Sequence, residues 1–147
     1  MTREPRVVID TNVFVSFFLR RGSTPWRVVR DVLECGELLV SDDTLAELAE
    51  VLRRPKFDRY VSRALREEFL DTLPEFATRV AITERIKACQ DSQDDKFLEA
   101  AVNGQADFLA TGDRALLAMK SFRSVVIVSP SAYLRIARGE RVDPHHR

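Results

Sequence analysis

Four short apolar runs, interleaved with amphipathic stretches, set the strongest constraint on how this chain can fold. They are Arg6–Ile9, Leu38–Val40, Asp107–Ala110 and Val125–Val128. Each is rich in β-branched or aliphatic residues and lacks polar alternation. That is the signature of strands buried on both faces, as in a parallel sheet. Helical segments between them would cover both faces, which gives an α/β domain with three layers and a mainly parallel central sheet.

The segments between the runs carry helix signals. Asn12–Leu19 is apolar. A second helix runs to about Cys35, with Thr24 as its cap, Pro25 at its first position and Gly36 just beyond its end. Asp42–Arg54 places Leu45, Leu48, Ala49 and Leu52 on one face and stops at Pro55. Phe57–Val61 reads as a turn or short helical piece. Ser62–Arg79 reads as one long helix with Leu65, Phe69, Leu73 and Phe76 on one side, kinked by Pro74. Val80–Ile82 is a further candidate strand and 86–93 a loop. Helices follow at Asp94–Asn103, closed by Gly104, at Arg114–Met119, and at Ser131–Arg138. With 147 residues the chain fits one domain, and 140–147 form a polar tail.

In parallel sheets, ligands bind beyond the carboxyl ends of the strands. Asp10 and Asp113 each follow a strand directly. Asp91, Asp94 and Asp95 crowd the start of a helix, and Glu47 lies within another. Each acid has a bland explanation. Asp10 or Asn12 could cap the first helix, Asp113 a later one, and Thr44 with Glu47 forms a capping-box pattern. Three acids at one helix start exceed what a cap requires. Carboxylates gathered at one sheet edge repel, and hard divalent cations with oxygen ligands relieve that repulsion.

Several classes are excluded. There are 23 basic and 23 acidic residues, so no global basic field attracts nucleic acid. Cys35 and Cys89 are too far apart in sequence for a zinc motif or a disulfide scaffold. They read as reduced, partly buried residues of a cytoplasmic protein. No run suits a membrane span. The two histidines, His145 and His146, lie in the tail, so no Ser-His-Asp or Cys-His set exists. No phosphate-binding glycine loop is present. An aspartyl-phosphate phosphatase needs a second acid two residues after the first, and Asn12 stands there.

The segments VVIDTNVFVS, SDDTLAELAEVLRRPKF, DSQDDKFLEAA, ADFLATGD and IVSPSAYL, in that order, resemble the PIN-domain nucleases. The likeness is strongest to the bacterial toxins of toxin–antitoxin pairs, and it spans nearly the whole chain. It implies a catalytic and metal-binding set of Asp10, Glu47, Asp95 and Asp113, supported by Asn12, Thr111 and Asp94. Asp94 and Asp95 are adjacent, so a shift of one residue between them stays open. Ser92 and Gln93 depart from the group's usual Pro and Asp, outside the four acids. The implied activity is hydrolysis of single-stranded RNA assisted by Mg²⁺ or Mn²⁺, with an antitoxin as partner. Arg20, Arg21, Lys96 and Arg114 are candidate phosphate contacts. Trp26 and Phe57, read as exposed apolar residues, suggest a homodimer. The competing reading is a non-catalytic module that binds RNA or protein on the same scaffold.

Overall fold

The computed structural model describes residues 3–139. The expected polar tail, 140–147, therefore lies outside the described residues. Six strands form one sheet: β1 (Arg6–Ile9), β2 (Glu37–Val40), β3 (Ala77–Arg79), β4 (Phe108–Ala110), β5 (Ser121–Phe122) and β6 (Val125–Val128), in the order β3-β2-β1-β4-β6-β5. All pairings are parallel except the short β5–β6 pair. The helices are α1 (Thr11–Leu19), α2 (Thr24–Cys35), α3 (Asp42–Leu52), α4 (Arg63–Phe76), α5 (Asp95–Asn103), α6 (Arg114–Met119) and α7 (Pro130–Ala137).

Because side chains alternate along a strand, each strand feeds two cores. Val7, Ile9, Leu38, Val40 and Ala110 face one side, where α1, α2, α3, α4 and α7 pack through residues such as Phe14, Val28, Leu48, Leu73 and Tyr133. Val8, Leu39, Leu109 and Ile127 face the other, against Phe97, Leu98 and Ala101 of α5 and Leu116 of α6. The expected three-layer α/β/α domain is the one observed.

The differences from the sequence expectations are local. The helix expected over Ser62–Arg79 ends at Phe76, two residues past Pro74. The chain extends at Ala77 and pairs with β2, whose open edge offers backbone hydrogen bonds. The strand expected at Val80–Ile82 therefore falls at 77–79. Val80 only donates one bond to the Val40 carbonyl and buries its side chain. On α4, Leu65 and Phe76 face solvent, being 56% and 68% exposed. The inward position beside Leu65 belongs to Arg66, only 1% exposed. Its guanidinium donates to the carbonyls of Leu52, Arg54 and Val61 and pairs with Asp58. Phe57 is buried and Trp26 half-buried, where both were expected to be exposed, and Cys35 is exposed rather than partly buried. β5 is too short to leave a signature in sequence.

The caps also shift. Ser23, not Thr24, caps α2, and Pro25 takes the second helical position. The capping box of α3 joins Ser41 to Thr44, which releases Glu47 from that role. Gly36 ends α2 in extended backbone. Gly104 follows α5 because of space: a Cβ there would stand 2.8 Å from the Ala100 carbonyl and 2.9 Å from Leu39 Cδ1.

Candidate active site

β1 and β4 are neighbours, so Asp10 and Thr111, the residues just past their ends, are brought side by side. Asp10 is only 5% exposed. Its Oδ2 accepts a 2.6 Å hydrogen bond from the Thr111 hydroxyl, and its Oδ1 accepts from the Asn12 N–H at 3.4 Å. Asp10 thus serves as the α1 cap and still lines an open cavity of ≈ 460 Å³. Asn12, Glu47, Asp91, Asp94 and Asp113 line the same cavity. Asp113 likewise caps α6, with its own N–H donating to the Thr111 hydroxyl at 3.0 Å.

Glu47 reaches the cavity from α3, which packs on α1. The Thr11 hydroxyl donates to its Oε2 at 2.5 Å, and Lys96 Nζ donates to its Oε1 at 2.7 Å. Thr11 was not singled out by sequence, because a buried first-turn threonine looks like an ordinary helix residue.

The adjacent pair Asp94–Asp95 divides cleanly. Asp94, at the end of a 3-10 turn (Ser92–Asp94), faces the cavity. Asp95, the expected ligand, turns away: its Oδ1 accepts from the N–H groups of Cys89 at 2.8 Å and Ala88 at 3.1 Å. It anchors the preceding loop, so of the two adjacent acids Asp94 is the one that borders the cavity. The physical reason is that the 3-10 turn ends at Asp94, and Asp95, one residue on, meets the loop amides instead of the cavity. Of the candidate basic residues, Lys96 touches a cavity acid. Arg20, Arg21 and Arg114 do not border the cavity. Arg21 instead lies 6.0 Å from the Trp26 ring centre.

The acids perturb one another. Burial pushes the Asp10 carboxyl up, opposed by the Thr111 and Asn12 hydrogen bonds and reinforced by the charges of Glu47 and Asp113. Asp94 is pushed up to about 7, first by burial and then by a hydrogen bond with Asp113 and the charges of Asp113, Asp10 and Asp91. Burial also works to raise Asp95, but the Cys89 and Ala88 amides outweigh it and hold the group below its usual range. Among the described residues no three acid, histidine or cysteine side chains already stand close enough to hold an ion. The donor set is nonetheless all oxygen and electrostatically strained, which suits a hard divalent cation more than a soft one.

The fold and the cavity together define an α/β/α domain with an acid-lined ligand site at the carboxyl edge of its sheet. The sequence profile of the PIN domain matches residues 6–115, and the chain belongs to the PIN-domain family. PIN domains are generally metal-dependent nucleases. An uncharacterized protein of Methanocaldococcus jannaschii, MJ1680, is 29% identical over 121 residues, covering 78% of this chain and 75% of that protein. Three solved structures share the fold. VapBC2 from Rickettsia felis, bound to a DNA fragment from its promoter, has a TM-score of 0.57 at 11% identity, covering 84% of this chain and 98% of that one. The PIN-domain endonuclease Utp24 has a TM-score of 0.50 at 23% identity, covering 84% of each. FitAB bound to a DNA fragment has a TM-score of 0.50 at 17% identity, covering 84% and 94%. No helix among the described residues is long and apolar enough to cross a membrane.

Proposed function

We propose that this protein is a metal-dependent endoribonuclease that hydrolyses phosphodiester bonds in single-stranded RNA, and that it is the toxin of a toxin–antitoxin pair. The observation that carries this reading is the convergence of Asp10, Glu47, Asp94 and Asp113 on one open polar cavity. Asp10, Asp94 and Asp113 are the residues that would hold Mg²⁺ or Mn²⁺, with Glu47 opposite. A bound ion supplies an activated water and offsets charge that builds on the phosphate.

The chain's own residues do the rest. Thr111 fixes Asp10 and, through the Asp113 amide, the backbone that carries Asp113. Asn12 borders the cavity and its amide orients Asp10. Asp95 holds the 86–91 loop, and so the 3-10 turn that presents Asp94. The cavity is open to solvent, which favours an extended single strand as its substrate.

The antitoxin partner is supported by the fold shared with VapBC2 and FitAB. A homodimer belongs to the same reading, supported now by the exposed Leu65 and Phe76 rather than by Phe57. Two free cysteines support a cytoplasmic location. The test is cleavage of labelled single-stranded RNA with Mn²⁺ or Mg²⁺, beside EDTA. Cutting that EDTA abolishes is expected. A folded protein that cuts no RNA with either ion overturns the reading in favour of a binding module.

A further inference from the structure

The cavity is electrostatically divided. On one side Asp10, Asp94 and Asp113 line the cavity, with the Thr111 hydroxyl donating to Asp10 and accepting from the Asp113 amide. On the other side Glu47 is already satisfied. One of its oxygens takes the Thr11 hydroxyl and the other takes the Lys96 ammonium, at 2.5 and 2.7 Å. This ion pair is sheltered, with the two side chains 17% and 22% exposed. It links α3 to α5 across 49 residues of sequence. Lys96 is held from behind as well: Gln93 lies 3.5 Å from its Nζ, and the next residues, Phe97 and Leu98, are buried in the second core. The ammonium is thus fixed against a cavity acid by its own helix.

Five carboxylates line the cavity, those of Asp10, Glu47, Asp91, Asp94 and Asp113, enough to serve two divalent ions. From this division of charge we propose that Lys96 is a built-in counter-cation, filling at Glu47 the place a second ion would take, so that the site binds one ion. The inference rests on the metal-dependent reading above. Lys96 is a positioning residue: it fixes Glu47 and confines divalent cations to the Asp10, Asp94 and Asp113 side. A purely structural link between α3 and α5 predicts no change in ion count when Lys96 is replaced.

The experiment counts bound Mn²⁺ by calorimetry and by electron spin resonance, with circular dichroism as the check of folding. The wild type is expected to bind one ion. K96M is expected to bind a second, roughly tenfold more weakly than the first, because removing the ammonium leaves Glu47 as an uncompensated acid. K96R should restore one ion, and so should the double variant K96M/E47Q. K96Q serves in place of K96M if the latter does not fold. Two ions in the wild type, or one ion with unchanged affinity in folded K96M, overturns the proposal and leaves the nuclease reading standing. No ion in the wild type overturns both.

Discussion

The hydroxyl of Thr111 donates to Oδ2 of Asp10 at 2.6 Å, tying together the residues that follow two adjacent parallel strands. The same hydroxyl accepts from the Asp113 amide. One side chain therefore sets the spacing of two cavity acids that lie 103 positions apart in sequence.

Replacing Asp10 by Asn keeps an acceptor for Thr111 and removes the buried charge. The expected result is loss of cleavage by ~10²-fold or more, in keeping with removal of a group that acts on the reacting atoms. The ion-free melting temperature should be unchanged or higher, since burial disfavours the charge. Cleavage kinetics beside thermal melting check both; retained full activity would sink the assignment.

The two neighbouring acids should separate in a double comparison. D94N should depress cleavage and Mn²⁺ affinity while leaving the fold intact. D95A should leave the Ala88 and Cys89 amides without their acceptor, at a cost of ~1–3 kcal/mol. Chemical denaturation and ion titration of both variants test this. The opposite pattern would return the ligand role to Asp95.

Stability should depend on pH with a defined sign. Asp94 is raised to about 7 in the fold, above the ordinary carboxylate range of the unfolded chain. The folded state then holds the extra proton, so this contribution is complete below that range and is lost as pH rises through about 7. Asp10 acts in the same direction. Asp95 acts oppositely, its contribution being lost as pH falls through its lowered value. Melting temperature of ion-free protein should therefore decline between about pH 5 and about pH 7.5, and D94N should flatten the decline. A flat wild-type profile over that interval would contradict the crowding of these acids.

Arg66 is the buried charge on which the connection after α3 depends. R66A leaves three carbonyls without their donor and opens a cavity, so a loss of at least about 3 kcal/mol is expected. Urea unfolding measures it. A change under about 1 kcal/mol would mean that water replaces the guanidinium.

Gly104→Ala should destabilise by ~1–3 kcal/mol, because its Cβ meets the Ala100 carbonyl and Leu39 with no room to move the backbone oxygen. Thermal melting of the variant decides it. Wild-type stability would show that α5 can shift outward.

Much of this protein was legible in the sequence, and for a simple reason. Burial on both faces of a parallel strand forces uninterrupted apolar runs, so Arg6–Ile9 and Val125–Val128 announce themselves with their observed boundaries. Asp10 and Asp113 followed, because position after such a run fixes a residue at the sheet's carboxyl edge. Periodicity could not aim Glu47, since its direction depends on how α3 packs against α1. The choice between Asp94 and Asp95 was likewise hidden, because a single 3-10 turn decides which of two adjacent carboxylates meets the cavity and which meets the loop amides. β3 escaped for a related reason: residues 77–79 become a strand only because β2 leaves an edge beside them. Local sequence determined which segments are strands and helices and which acids stand at strand ends. Tertiary packing alone decided which carboxylates share a cavity, because side-chain direction and long-range hydrogen bonding are set by neighbours distant in the chain.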